Sequence, residues 1–318
     1  MFSEGTRQRL EELNRGPLPI SALPVAALQA TPLPRTAPTR SPLRPGLITP
    51  IPGLIRRGEV VSNELGAHIH VCLPLEQLWP GSESLLSKRH AHLINLQPSG
   101  PLRPERRDGK GGLECVSASP LSPSPSPQGR GERGIPNVFL DAFPHRLLLV
   151  DLETCGLSGS ALFLVGLLHC VGGRLSVELL LARDYSEEAA VLASLWQRVH
   201  ADGVVVTFNG KSFDWPMIVD RSRRHLLFRG TRPPAPLHID LLPHARRRWK
   251  GQLPDCKLQT LERHICGRTR TDDIPGNQIP AAYQEFVRTG FERDMDAILL
   301  HNAIDLVTLL DLAMRLVG

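Results

Sequence analysis

The chain has 318 residues, 41% hydrophobic and 5% aromatic, with a formal net charge of +5. That length suits about two domains and the apolar content suits a buried core. However, 20 of the 29 prolines fall in residues 1–136 and only 9 in the rest, which excludes two packed domains of similar make-up.

Residues 1–55 alternate proline with small and apolar residues, from Pro17 and Pro19 to Pro42 and Pro45. Proline at that density blocks helix and sheet interiors, and a proline-rich, largely disordered N-terminal region is predicted. Within 56–95, Glu59–Val61 and Ala67–Leu73 read as strands joined by a turn near Asn63–Gly66, a small β element packed on the main domain. Residues 96–136 carry Ser-Pro repeats at Ser122–Pro127 and then Gly-Arg-Gly-Glu-Arg-Gly, a low-complexity linker.

An α/β domain is predicted over 137–318. Arg146–Val150 is a short apolar run ending at an acidic residue, and Ala161–Val171 and Arg174–Ala182 are split by Gly172-Gly173. The glycine pair signals a hairpin, so the first three strands form an antiparallel meander. Ser186 is expected to cap a helix carrying Leu192, Leu195, Trp196 and Val199. Gly203–Phe208 reads as a fourth strand, Asp214–Leu227 as a helix and Leu237–Asp240 as a fifth strand, with helices near 257–265, 281–289 and 293–316. This order is that of a ribonuclease H-like fold, a mixed five-stranded sheet flanked by helices. The longest apolar stretch of this half, Arg146–Val165, is interrupted by Asp151 and Glu153, so no membrane span is expected. Met1–Leu13 lacks the apolar core of a signal peptide, and six cysteines without a CxxC pair indicate a cytoplasmic setting.

Three clusters carry the chemistry. Asp151 and Glu153 end the first strand and share one face, because side chains alternate along a strand. Either one is simply exposed at the strand end, or a cation lies between them. Asp214 follows the fourth strand at the start of a helix, which it could also cap; Asn209 would close the intervening loop. His301 and Asp305 stand four apart on the last helix and project together. Asp305 lies in an otherwise apolar stretch, costly unless paired or coordinated. Such an oxygen-rich set suits Mg²⁺ or Mn²⁺ rather than zinc, and two such ions can drive phosphodiester hydrolysis.

The motifs Asp151-Leu152-Glu153-Thr154, Asn209–Asp214 and His301–Asp305 resemble the three motifs of the DEDD 3′–5′ exonuclease superfamily. Together with His238–Leu242 and Asp272–Gly276, they make residues 137–318 similar to the YprB-like ribonuclease H-like domain family of predicted exonucleases. The resemblance implies a nuclease with two Mg²⁺ or Mn²⁺ ions held by Asp151, Glu153, Asp214 and Asp305. It implies His301 as the group that orients or deprotonates water, at a spacing where one branch of the superfamily has tyrosine. A 3′–5′ exonuclease is expected; a structure-specific endonuclease or a non-catalytic nucleic-acid-binding module are the alternatives.

Other features bear on partners. Residues 221–270 hold 13 Lys+Arg against 3 Asp+Glu, between segments of 5 against 10 (137–220) and 3 against 8 (271–318). In that band, Arg246, Arg247, Arg248 and Lys250 suit phosphates and Trp249 a stacked base, with Asn209 and Lys211 as further substrate contacts; a solvated helix face is the alternative. His68, His70 and Cys72 alternate on one strand, with His90 and His92 at the same spacing, as a zinc reading or a half-solvated face. Asp240 reads as a helix cap and Asp272-Asp273 as a turn.

Overall fold

The computed structural model of the chain describes residues 51–96, 135–156, 160–271 and 273–317. The disorder expected for residues 1–50, and nearly all of the linker expected over 96–136, lie outside the described residues. Part of the segment expected to be disordered is packed instead, since Ile51, Leu54 and Ile55 are buried. The backbone amides of Gly53 and Ile55 donate to the Asp296 carboxylate at 2.8 and 2.9 Å. Proline counting merged this anchored segment with the chain before it.

The strands are β1 (Glu59–Asn63), β2 (Gly66–Pro74), β3 (Leu147–Thr154), β4 (Leu162–Val171), β5 (Arg174–Leu181), β6 (Val204–Thr207) and β7 (Leu237–Asp240). The helices are α1 (Leu75–Leu78), α2 (Ser82–Asn95), α3 (Ile135–Ala142), α4 (Glu188–Trp196), α5 (Asp214–Arg224), α6 (Leu241–Trp249), α7 (Leu258–Leu261), α8 (Ile279–Thr289) and α9 (Met295–Leu316). One mixed sheet has the order β1-β2-β5-β4-β3-β6-β7, with β3, β6 and β7 parallel and every other pairing antiparallel.

The sheet has seven strands rather than the five expected. The β1–β2 hairpin is not a separate element: β2 pairs with β5 from Ile69↔Leu181 to Pro74↔Ser176. Its alternating Ile69, Val71 and Leu73 are buried there, so its apolar face is completed by a strand far along the chain. His90 and His92 lie on α2, not on a strand. Asp184, not Ser186, caps the turn before α4, its side chain accepting from the Ser186 amide.

Helix α9 has 22 residues and is long and apolar enough by composition to cross a membrane. Instead it is a core helix, buried from Ile298 to Met314 apart from Leu300 and Asp305 and packed on β3, β4 and β5. Helix α4 packs on β2, β4 and β5. The alternation along β4 separates two faces: Gly166 faces α9, and its neighbour Leu167 is opposite Glu178 on the other side.

Candidate active site

The first half of β3, Leu147–Val150, is buried, and its second half, Asp151–Thr154, is half-buried. The carboxylates therefore sit where the strand leaves the core. Asp151 is opposite Gly166 of β4. A Cβ at Gly166 would lie 1.7 Å from Asn302 Oδ1 and 2.9 Å from Leu306 Cδ1. The missing side chain lets α9 approach, and Asn302 Nδ2 donates to Asp151 Oδ2 at 2.8 Å. Asn302 is fully buried, and its Oδ1 has no hydrogen-bond partner.

Strand β6 delivers the second cluster through a tight turn. Asn209 has φ +65°, the left-handed region that asparagine tolerates. The Asp240 carboxylate holds this turn, accepting from the Asn209 amide at 2.8 Å and the Lys211 amide at 3.2 Å. It also accepts from the Leu242 amide at 3.0 Å, so Asp240 caps α6 and anchors the loop before Asp214. Asp214 itself is the first residue of α5 and does not act as a side-chain cap. A Cβ at Gly210 would lie 2.7 Å from Asp214 Oδ2, so this glycine gives the carboxylate its space.

The third cluster is more elaborate than its spacing implied. His301 Nδ1 donates to Asp273 Oδ1 at 2.7 Å, and its Nε2 lies 3.4 Å from Asp305 Oδ2. The Arg270 guanidinium binds Asp305 Oδ1 through one terminal nitrogen and lies 3.6 Å from Asp273 Oδ2 through the other. Its Nε donates to both oxygens of Glu262, at 3.1 and 2.9 Å. Glu262 is buried and also accepts from Thr308 Oγ1 at 3.0 Å.

These acids perturb one another. Burial, with Asp305, Glu153 and Asp214 nearby, holds the Asp151 carboxyl well above the usual carboxylate range. Burial pushes Glu153 up to about 8 against the pull of His301, with Asp305 and Asp214 adding to the rise. Burial, and then Asp240, push Asp214 up to about 6. The His301 imidazole is raised despite burial, by its bond to Asp273 and the charges of Asp305 and Glu153. Asp151, Glu153 and Asp214 are thus short of positive charge. The donors of the site are carboxylates, hard oxygens that fit Mg²⁺ or Mn²⁺. No three His, Cys, Asp or Glu side chains among the described residues are already gathered as a metal cluster; like charges oppose such gathering without a cation.

The remaining sequence-derived residues fall outside this centre. Arg246, Arg247, Arg248 and Lys250 are exposed, as is Lys211. Trp249 is not available to stack on a base: it is buried in the core, on the α6 stripe of Leu241, Leu242 and Ala245. The zinc reading finds no support. His70 pairs with Glu178 at 3.0 Å, Cys72 is exposed, and buried His68 has its imidazole pushed down to about 4 by burial and by His70.

Sequence reasoning missed Arg270, Glu262 and Asn302, and read Asp273 as a turn. Asn302 had a signal: with Ile298 and Leu306 it forms an i, i+4 stripe facing the core, where an amide needs a partner. Arg270 had none, lying in an irregular segment within the basic band.

Comparison with protein families agrees with this architecture: the model of the RNase H superfamily matches residues 148–317. The uncharacterized protein YprB of Bacillus subtilis (strain 168) is 34% identical over 173 residues, 53% of this chain and 41% of that protein's length. The family B DNA polymerase of the hyperthermophilic archaeon Pyrobaculum calidifontis aligns at TM-score 0.43 and 16% identity, over 54% of this chain and 24% of the polymerase. With its mixed sheet, its α9 helix against β3 and a family match across 148–317, the chain belongs to the RNase H superfamily.

Proposed function

We propose that this chain is a metal-dependent nuclease that hydrolyses nucleic acid from the 3′ end. The observation that carries the reading is the electrostatic deficit around Asp151, Glu153 and Asp214: all three are held above the usual carboxylate range in a half-buried site. A protein keeps such a deficit where a cation is to bind. Asp151, Glu153, Asp214 and Asp305 would hold two Mg²⁺ or Mn²⁺ ions. When bound, such ions supply Lewis acidity toward a phosphoryl oxygen and make water a better nucleophile at neutral pH.

The other groups act around them. The Asp273 carboxylate accepts from His301 Nδ1, which fixes the ring and leaves Nε2 to take a proton from the attacking water. Neutralising Asp305 and Glu153 removes two of the charges that hold His301 protonated. Asn302 fixes one oxygen of Asp151. Asn209 and Lys211 would meet the substrate from the loop that Asp240 anchors, and Arg246, Arg247, Arg248 and Lys250 would neutralise phosphates farther along the strand.

The test is the purified chain with Mn²⁺ on 3′- and 5′-labelled single- and double-stranded DNA and RNA. Mononucleotides released from 3′ ends are expected. Internal cuts would replace the exonuclease reading with an endonuclease, and binding without cleavage would reduce the chain to a nucleic-acid-binding module.

A further inference from the structure

Both oxygens of Asp305 are already engaged by cationic groups of the protein. Oδ1 takes the Arg270 guanidinium, and Oδ2 faces His301 Nε2 at 3.4 Å. Arg270 is no surface side chain: it is 7% exposed, between Glu262 at 2% and Asp305 at 13%. A full positive charge therefore stands on the one carboxylate of the site that comes from α9. Asp151, Glu153 and Asp214 have no comparable ion pair among the described residues.

We infer that Arg270 is a built-in competitor for the divalent cation at Asp305, holding that carboxylate until an ion displaces it. The inference rests on the metal-dependent reading above. Its physical basis is that Arg270 has somewhere to go. Its Nε stays bonded to both oxygens of Glu262, and a terminal nitrogen stays within 3.6 Å of Asp273. Release of Asp305 leaves no buried charge alone, so exchange avoids the large penalty of an orphaned ion. Glu262 is itself fixed by Thr308 Oγ1 and starts a π-helical turn, Glu262–Cys266, that follows α7. The anchor is thus rigid on the side away from Asp305. Arg270 would stabilise the chain without metal, and it would weaken the ion's hold so that binding is readily reversed.

The experiment measures Mn²⁺ binding to the full chain without nucleic acid, by electron paramagnetic resonance of free Mn²⁺, together with thermal melting with and without Mn²⁺. The parent is compared with Arg270→Gln and Arg270→Met. Each variant is expected to bind Mn²⁺ at least about tenfold more tightly, the size of effect a neighbouring Arg has on a carboxylate's affinity for a proton. Each should melt lower than the parent without Mn²⁺ and be raised further by it. Equal or weaker Mn²⁺ binding by a folded variant overturns the inference and makes Arg270 a positioning residue for Asp305. Variants that stay unfolded at saturating Mn²⁺ also overturn it, because Arg270 is then a structural tie to Glu262. A folded parent that binds no Mn²⁺ removes the metal reading itself, and this inference falls with it.

Discussion

Glu153 and Glu178 are both carboxylates on strands of one sheet, and their acidities are displaced in opposite directions. Glu178 is buried on β5, where it accepts from His70 Nε2 at 3.0 Å and His169 Nε2 at 2.9 Å and pairs with Arg198. These partners outweigh burial and hold it well below the usual carboxylate range. Glu153, on β3, meets Asp305 and Asp214, with His301 alone drawing it down, and ends near 8. Burial raises both acids; at Glu153 it prevails, because the neighbours do not offset it, and at Glu178 the cationic partners outweigh it. A buried acid with its counter-charges in place belongs to the architecture. Under the proposed function, the acids short of counter-charge are the ones a cation would neutralise.

That contrast can be broken by removing one charge from each side. Asp151→Asn should cost on the order of a thousandfold in cleavage rate, since an ion loses several kcal/mol of binding and transition-state stabilisation. Its melting temperature without divalent ions should not fall, and should rise if repulsion dominates; full activity would sink the metal assignment. Glu178→Gln should do the reverse. Orphaning the Arg198 charge should cost about 3 kcal/mol of stability, read by urea unfolding, with the Mn²⁺-dependent rate per folded molecule unchanged.

The pH dependence of stability sharpens the same comparison. Glu153 and Asp214, raised to about 8 and about 6, keep protons in the folded chain that the unfolded chain has already lost. The stability they contribute is whole below about pH 4 and is lost as pH rises through about 6 and then about 8. Glu178, being depressed, contributes stability above about pH 4.5 that is lost as pH falls. Melting in chelator from pH 4 to about 9 should therefore show a decline toward alkaline pH that Glu153→Gln flattens. The smallest effect concerns the exposed arginines of α6. Changing Arg246, Arg247 and Arg248 to Ala should weaken binding alike for all sequences. The slope of log affinity against log salt should drop by about 0.7 for each single-strand phosphate that is no longer neutralised. If the slope matches the parent, the band is only solvated surface.

How far these residues could be read from the sequence follows from how local their signals are. Strands β3 to β6 are built around apolar runs, and the expected Leu237–Asp240 coincides with β7. Asp151, Glu153, Asp214, His301 and Asp305 were legible because each sits at a strand end or on a helix period. Trp249 was misread because an aromatic beside three arginines suggests stacking, although its spacing to Leu241, Leu242 and Ala245 is that of an apolar helix stripe. Arg270 was illegible for another reason. A charge count treats every arginine as solvated, and its burial depends on Glu262, Thr308 and Asp305, brought together by the fold.

The hairpin of β1 and β2 has one more consequence, for how the chain reaches this state. Ile69 pairs with Leu181, 112 residues later, so this ladder cannot close until β5 has been made. Without β2, β5, with Val177, Leu179, Leu180 and Leu181 all fully buried in the finished fold, would be a bare apolar edge with open backbone donors and acceptors. Such an edge is a template for another chain. The hairpin is therefore a guard against self-association as well as two more strands, and a chain shortened past Pro74 should aggregate even with every carboxylate of the site in place.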